Sequence, residues 1–217
     1  TYLPVEISRE YMIAATEDLA ESFPELRIAP VCADYTEPFT LPELPGVDHG
    51  TTVGFFPGST IGNFTRAEAV DFLSVTRNLM GSGAVMIVGV DLVKDLDVLR
   101  AAYNDAAGVT AAFNLNLLRR INRELAGTFD LSTFRHDARW NAELERIEMH
   151  LVSLKEQEVA VGTRRFRFGE GETIHTESSH KYRLDGFREL AREAGYEPVE
   201  VWTDDKQLFS VHALRTV

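Results

Sequence analysis

The sequence predicts an α/β fold of the doubly wound kind, with a parallel sheet interrupted by an α+β insertion, and three observations carry the prediction. Between Tyr2 and Asp91, β-rich apolar runs alternate with stretches of helical period. Two of those runs, "TVGFF" and "AVMIVGVD", are apolar almost throughout, as strands buried on both faces of a parallel sheet are. After Asp91 the rhythm changes to consecutive helices and then consecutive strands, before a helix and a strand pair close the chain.

Taken in order, "YLPVEIS" alternates and reads as a strand ending near Glu6. "SREYMIAATEDLAESFP" follows as a helix capped by Ser8 and stopped at Pro24. "LRIAPVCADY" reads as a second strand ending at Asp34, and the proline-rich "TEPFTLPELPGVDHG" as a loop. "TVGFF" is a third strand. "TRAEAVDFLSVTRNLM" is a helix with Thr65 as its cap and Glu68 at the spacing of a capping box. "AVMIVGVD" is a fourth strand. "KDLDVLRAAYND" and "VTAAFNLNLLRRINRELA" read as helices, and "RIEMHLVSLKEQEVAVGTRRFRF" as two or three antiparallel strands turning near Glu156 and Gly162. "RLDGFRELAREAGY" restores a helix, and "EPVEVWTD" and "QLFSVHALRT" form a closing pair. The expected division is therefore a core over 1–93, an inserted domain over 94–182, and a return to the core over 183–217.

The chain has 217 residues, of which 44% are hydrophobic, enough for one large α/β domain with an insertion. Its net charge of −12 sets up a field that repels phosphate backbones, so nucleic acid is not an expected partner. The basic run "RRFRF" reads as the exposed face of a strand. No apolar run reaches the length of a membrane span, and no secretion signal is evident at the start. The single cysteine, Cys32, cannot form an internal disulfide, which fits a reducing cytoplasm.

Open parallel sheets bind ligands at the carboxyl ends of their strands, where Glu6, Asp34, Ser59 and Asp91 are expected. Three acids there suit hydroxyl or amine donors better than phosphate. Glu6 could accept both hydroxyls of a ribose, or could simply sit before a helix N-terminus. Asp34 and Tyr35 could grip an adenine, or could form an ordinary strand-to-loop junction. Asn63, after "PGSTIG", can both donate to a carboxylate and accept from an amine, or serve as a turn asparagine.

"GSGAVMIVG" is not a cofactor loop, because its glycines precede a strand instead of following one. "IHTESSHKY" gathers His175, Glu177, Ser178, Ser179, His180, Lys181 and Tyr182, too polar a set for core, and reads as a solvated loop or a polar binding wall. Its H-x-E-x-x-H spacing is not a helical zinc pattern and offers no third ligand, so no metal is expected. A serine hydrolase lacks its G-x-S-x-G elbow.

Together "YLPVEIS", "FFPGSTIGNF", "VGVDLVKD", "AAYNDAAGVTAAFNLNLLRRIN", "RIEMHL" and "HTESSHKY" resemble the histidine-specific N-alpha-methyltransferases of ergothioneine biosynthesis, and the blocks run through nearly the whole chain. The resemblance implies a Rossmann-like class I methyltransferase sheet with an inserted substrate-binding domain. It implies S-adenosylmethionine as cofactor and trimethylation of the α-amine of L-histidine to hercynine. By the same resemblance Glu6 would bind the cofactor ribose, and Asp34 with Tyr35 would flank the adenine, Tyr35 standing where the family often has Phe. Asn63 and Tyr103 would hold the amino-acid end of the substrate. Glu177 and Ser179 would bond the imidazole, and Met149 would line its pocket. No residue is assigned as a general base. The family sheet also has a first strand and a glycine-rich loop that this sequence does not show, so an upstream segment or a second chain is an expected partner. A methyltransferase for another amino acid or small amine, and a non-catalytic amino-acid-binding module, stay open as alternatives.

Overall fold

The computed structural model describes residues 1–46 and 50–217; residues 47–49, part of the proline-rich loop, lie outside the described residues. A four-stranded sheet runs in the order β10-β11-β4-β3, from Tyr196–Thr203, Phe209–Thr216, Val85–Asp91 and Val53–Phe56. β3 and β4 are parallel, with Phe55 opposite Ile87, while β11 runs antiparallel to both β4 and β10. β1 (Val5–Glu6) and β2 (Val31–Cys32) form a separate parallel pair.

The core lies on one face of the large sheet. There α2 (Arg66–Met80) and α5 (Leu184–Glu193) pack Phe72, Leu73, Phe187 and Leu190 against Met86, Val88 and Leu214. α2 starts where its sequence says. The Thr65 hydroxyl accepts from the Glu68 amide, and the Glu68 carboxylate accepts from the Thr65 amide, so two of the orphan donors at the helix start are satisfied. α1 (Arg9–Ser22) begins after Ser8, but Ser8 makes no side-chain cap.

The remainder builds on a three-stranded antiparallel sheet, β5-β6-β9, from Phe134–Asn141, Arg146–Ser153 and Thr173–His180. α3 (Leu96–Tyr103) and α4 (Val109–Glu124) cover one face, through Leu99 against Ala138 and Ile147, and Leu118 against Leu151. β7 (Gln157–Val161) and β8 (Arg164–Phe168) form a hairpin of their own.

Three readings of the sequence are corrected. The second strand stops at Cys32 instead of Asp34, because Asp34 turns the chain by accepting from both the amide and the hydroxyl of Thr36. β6 pairs with β5 and β9, not with β7; β5 carries charge at alternate positions and hides its period. The polar segment before α5 is not a solvated loop: through His180 it is β9, with His175 exposed, and Ser179 and, just past the strand, Lys181 are buried at 7% and 3% exposure. Polar residues lie inside there because each finds partners.

Candidate active site

The first corner of the site is at the ends of β1 and β2. The Glu6 carboxylate accepts from the Ser8 amide at 2.8 Å, the local role open to an acid before a helix. Asp34 is exposed, and its bonds from Thr36 hold its carboxyl below the usual range. Tyr35 turns inward, with its ring edge-on to Phe56 at 5.6 Å and to Phe72 at 5.8 Å. Burial, then the charges of Glu6 and Asp34, push its hydroxyl up; β1 and β2 are parallel with Glu6 opposite Cys32, so Glu6 and the Asp34–Tyr35 turn leave the same end of the pair. Each carboxylate keeps one oxygen free of these local bonds, and the Tyr35 ring offers a flat apolar surface.

The loop after β3 sits between that corner and β9. Gly58 and Ser59 take positive φ of 74° and 60°, which turns the chain at once into a short 3-10 helix, Thr60–Asn63. The Ser59 hydroxyl accepts from the Asp91 amide at 2.9 Å and fixes the loop to the end of β4. Gly62 packs on β9: the carbonyl of Gly62 accepts from His180 Nδ1 at 3.0 Å, and a Cβ on Gly62 would lie 2.8 Å from the His180 carbonyl oxygen. Asn63, at the end of this helix, is exposed, and its side-chain amide bonds none of the described residues.

The third part joins α3, β4 and β9. Lys181 donates to Tyr103 Oη at 2.7 Å, to Ser179 Oγ at 2.8 Å and to Asp91 Oδ2 at 2.8 Å. Tyr103 Oη in turn donates to Ser179 Oγ at 2.8 Å. Asp91 is also paired with Lys94. On β9, Glu177 lies opposite Met149 and Ser179 opposite Ile147, so both point to the face that α3 covers. Glu177 is half-buried. Burial pushes its carboxyl up and the nearby Lys181 charge partly offsets this.

The structure thus gathers Tyr103, Met149, Glu177 and Ser179 on one face of one sheet, and sets the loop carrying Asn63 against the end of the same strand. Sequence reasoning gave no role to Lys181 and missed its union with Asp91. The available signal was Asp91 itself: a carboxylate ending a buried strand requires a partner charge. A cavity of about 580 Å³ backs onto Lys181, but Asn63, Tyr103, Met149, Glu177 and Ser179 do not line it.

His175 meets His150, not His180, and with Glu148 forms a group whose ligating atoms lie within 4.8 Å. It is a poor metal centre as arranged. One Glu148 oxygen is held by Arg146 and Asn141, and the two imidazoles stack at 19°, so their lone pairs run side by side instead of converging.

The profile of a family described as "Histidine-specific methyltransferase, SAM-dependent" matches residues 1–216. The chain is 40% identical over 205 residues to the histidine N-alpha-methyltransferase of Mycolicibacterium smegmatis, covering 94% of this chain and 63% of that protein. It is 37% identical to the histidine N-alpha-methyltransferase of Mycobacterium tuberculosis, with the same coverage of both. The chain therefore spans a little under two thirds of the length of these relatives. Among solved structures, the CcbJ methyltransferase from Streptomyces caelestis aligns with a TM-score of 0.53 at 15% identity, over 99% of this chain and 74% of that one, a likeness of fold. Among the described residues, no helix is long and apolar enough to cross a membrane.

Proposed function

From the premise that the chain belongs to the family of histidine-specific, SAM-dependent methyltransferases, we propose that the whole protein trimethylates the α-amine of L-histidine to hercynine, the first step of ergothioneine synthesis, in the cytoplasm. The observation that carries this reading is the shared face of β9, where a half-buried carboxylate and a buried hydroxyl, Glu177 and Ser179, stand two residues apart. That pair can bond both nitrogens of an imidazole.

The loop carrying Asn63 packs on β9 at His180, whose side chain turns to the face opposite Glu177 and Ser179. Asn63 would fix the amino-acid end of a bound histidine and Glu177 and Ser179 its ring, with Met149 packing on the ring; Tyr103, whose hydroxyl is bonded to Ser179 and Lys181, stands at the ring end and not at the amino-acid end that the family likeness gives it.

At the other corner, the free oxygens of Glu6 and Asp34 and the ring of Tyr35 fit a ribose and an adenine. S-adenosylmethionine supplies an electrophilic methyl group when bound there. The protein's own task is orientation: an amine held on the line of transfer can gain up to ~7–11 kcal/mol over free encounter. A carboxylate beside the ring favours a ligand with a ring N–H and leaves a buried charge unpaired with one that lacks it.

The reading includes a further strand, from an upstream segment or a second chain, between β1 and β3. Val53 and Phe55 on β3 are 60% and 72% exposed, and β3 is an edge of its sheet. The inserted domain over 94–182 would carry the substrate.

The test is to incubate the full-length protein with S-adenosylmethionine and a panel of amino acids and weigh the products. Histidine gaining three methyl groups is the expected result. Methylation of another amine instead would replace the substrate, and histidine binding without methylation would leave an amino-acid-binding module.

A further inference from the structure

Lys181 has a place in this site that neither its position in the sequence nor the family description assigns. An ammonium has three hydrogens, and all three are used, on Asp91, Tyr103 and Ser179. A serine hydroxyl has two acceptor positions and one hydrogen. Both acceptor positions on Ser179 are filled, one by Lys181 and one by Tyr103, each at 2.8 Å. What Ser179 can still offer is its own hydrogen. Glu177, as a carboxylate, offers only acceptors.

We propose that Lys181 is a positioning residue that fixes the polarity of the ring-reading pair, so that the site takes a neutral imidazole with its bare nitrogen toward Ser179 and its N–H toward Glu177. The inference rests on the histidine reading above.

Charge balance favours the same form. The groups around Lys181 are Asp91 and Lys94 at the end of β4, Tyr103 on α3, and Glu177 and His180 on β9; Arg146 on β6 and Glu68 on α2 also face His180, Arg146 paired with Glu148 and Glu68 held by the Thr65 amide. Burial holds the imidazole of His180 below its ordinary range, toward the neutral form, although the Gly62 carbonyl acts in the opposite direction. Two cations, Lys94 and Lys181, then face two anions, Asp91 and Glu177. A neutral imidazole leaves that balance intact, whereas an imidazolium adds an uncompensated charge and points a second N–H at the Ser179 hydrogen. Without Lys181, an acceptor position on Ser179 opens and a cation disappears, and both changes admit the imidazolium.

The test is the number of protons released when histidine binds the full-length protein, measured calorimetrically near pH 5.5 in buffers of different ionisation enthalpy. Free histidine is mostly imidazolium there, its ring titrating near about 6.5. The native protein should release close to one proton per histidine, and histidine affinity should fall about tenfold from near pH 7.5 to near pH 5.5. Lys181→Met should release close to none and show a nearly flat affinity. If Lys181→Met does not fold, Ser179→Ala, which removes the hydrogen that demands a bare nitrogen, should show the same loss of proton release. Proton release unchanged in whichever variant folds overturns the inference, as does native protein that binds histidine without releasing a proton. Native protein that binds no histidine overturns the histidine reading instead.

Discussion

The Nζ of Lys181 lies 2.8 Å from Oδ2 of Asp91 and so ties the end of β9 to the carboxyl end of β4. This contact joins the small antiparallel sheet to the four-stranded sheet, where on the proposed reading a substrate held on one would meet a cofactor held on the other. The lysine side chain is 1% exposed, so the pair is shielded from screening by solvent.

Removing one member of that pair should therefore cost more than a surface ion pair would. Asp91→Ala leaves Lys181 and Lys94 without their shared counter-charge. The expected loss is about 3–5 kcal/mol of stability, read by denaturant unfolding. A loss under about 1 kcal/mol would mean that the pair behaves as a surface contact.

Glu177 should govern choice of substrate more than rate. Glu177→Ala removes the acceptor for a ring N–H, and the preference for histidine over tryptophan in kcat/KM should fall by about 10²–10⁴. Steady-state comparison of the two amino acids decides it, and an unchanged ratio removes Glu177 from recognition.

Gly62 is where the Asn63 loop touches β9. A Cβ there would meet the His180 carbonyl oxygen at 2.8 Å, a backbone atom that cannot swing aside. Gly62→Ala should cost about 1–3 kcal/mol by overpacking and should weaken histidine binding, because Asn63 moves with the loop. Gly58→Ala, strained by its φ of 74° but with open space around its Cβ, should cost about 1 kcal/mol. Thermal unfolding and histidine titration of the two variants separate contact from strain.

His212 makes stability depend on pH. It is fully buried against Phe187, and burial, followed by the charge of Arg188, lowers its imidazole to about 4. Above about pH 6.5 the ring is neutral in both folded and unfolded chains, and the full stability is present. As pH falls below that value the unfolded chain takes up the proton first, so stability drops until the folded form also titrates near 4. The loss across that window should be on the order of 3 kcal/mol, and His212→Gln should flatten it. Denaturant unfolding of both proteins between about pH 7 and pH 4 measures the difference.

The sequence determined the elements whose signals are local. The Thr65–Glu68 capping box, the apolar run of β4 and the extent of β3 depend on residues a few positions apart, and they stand in the structure where the spacing puts them; β3, whose apolar run reads as a strand buried on both faces, is instead an edge strand with Val53 and Phe55 exposed. The choice of Tyr103, Glu177 and Ser179 came from likeness to a family and not from any such spacing. Only the tertiary structure decided that β9 is a strand, that Lys181 is buried just past its end, and that Asp91, Tyr103 and Ser179 surround its ammonium. The physical reason is that a polar side chain is tolerated inside only by the partners it finds, and here those partners stand 90, 78 and 2 residues away along the chain. Hydrophobic period carries no trace of such a meeting, because it records which faces leave water and not which charges are brought together.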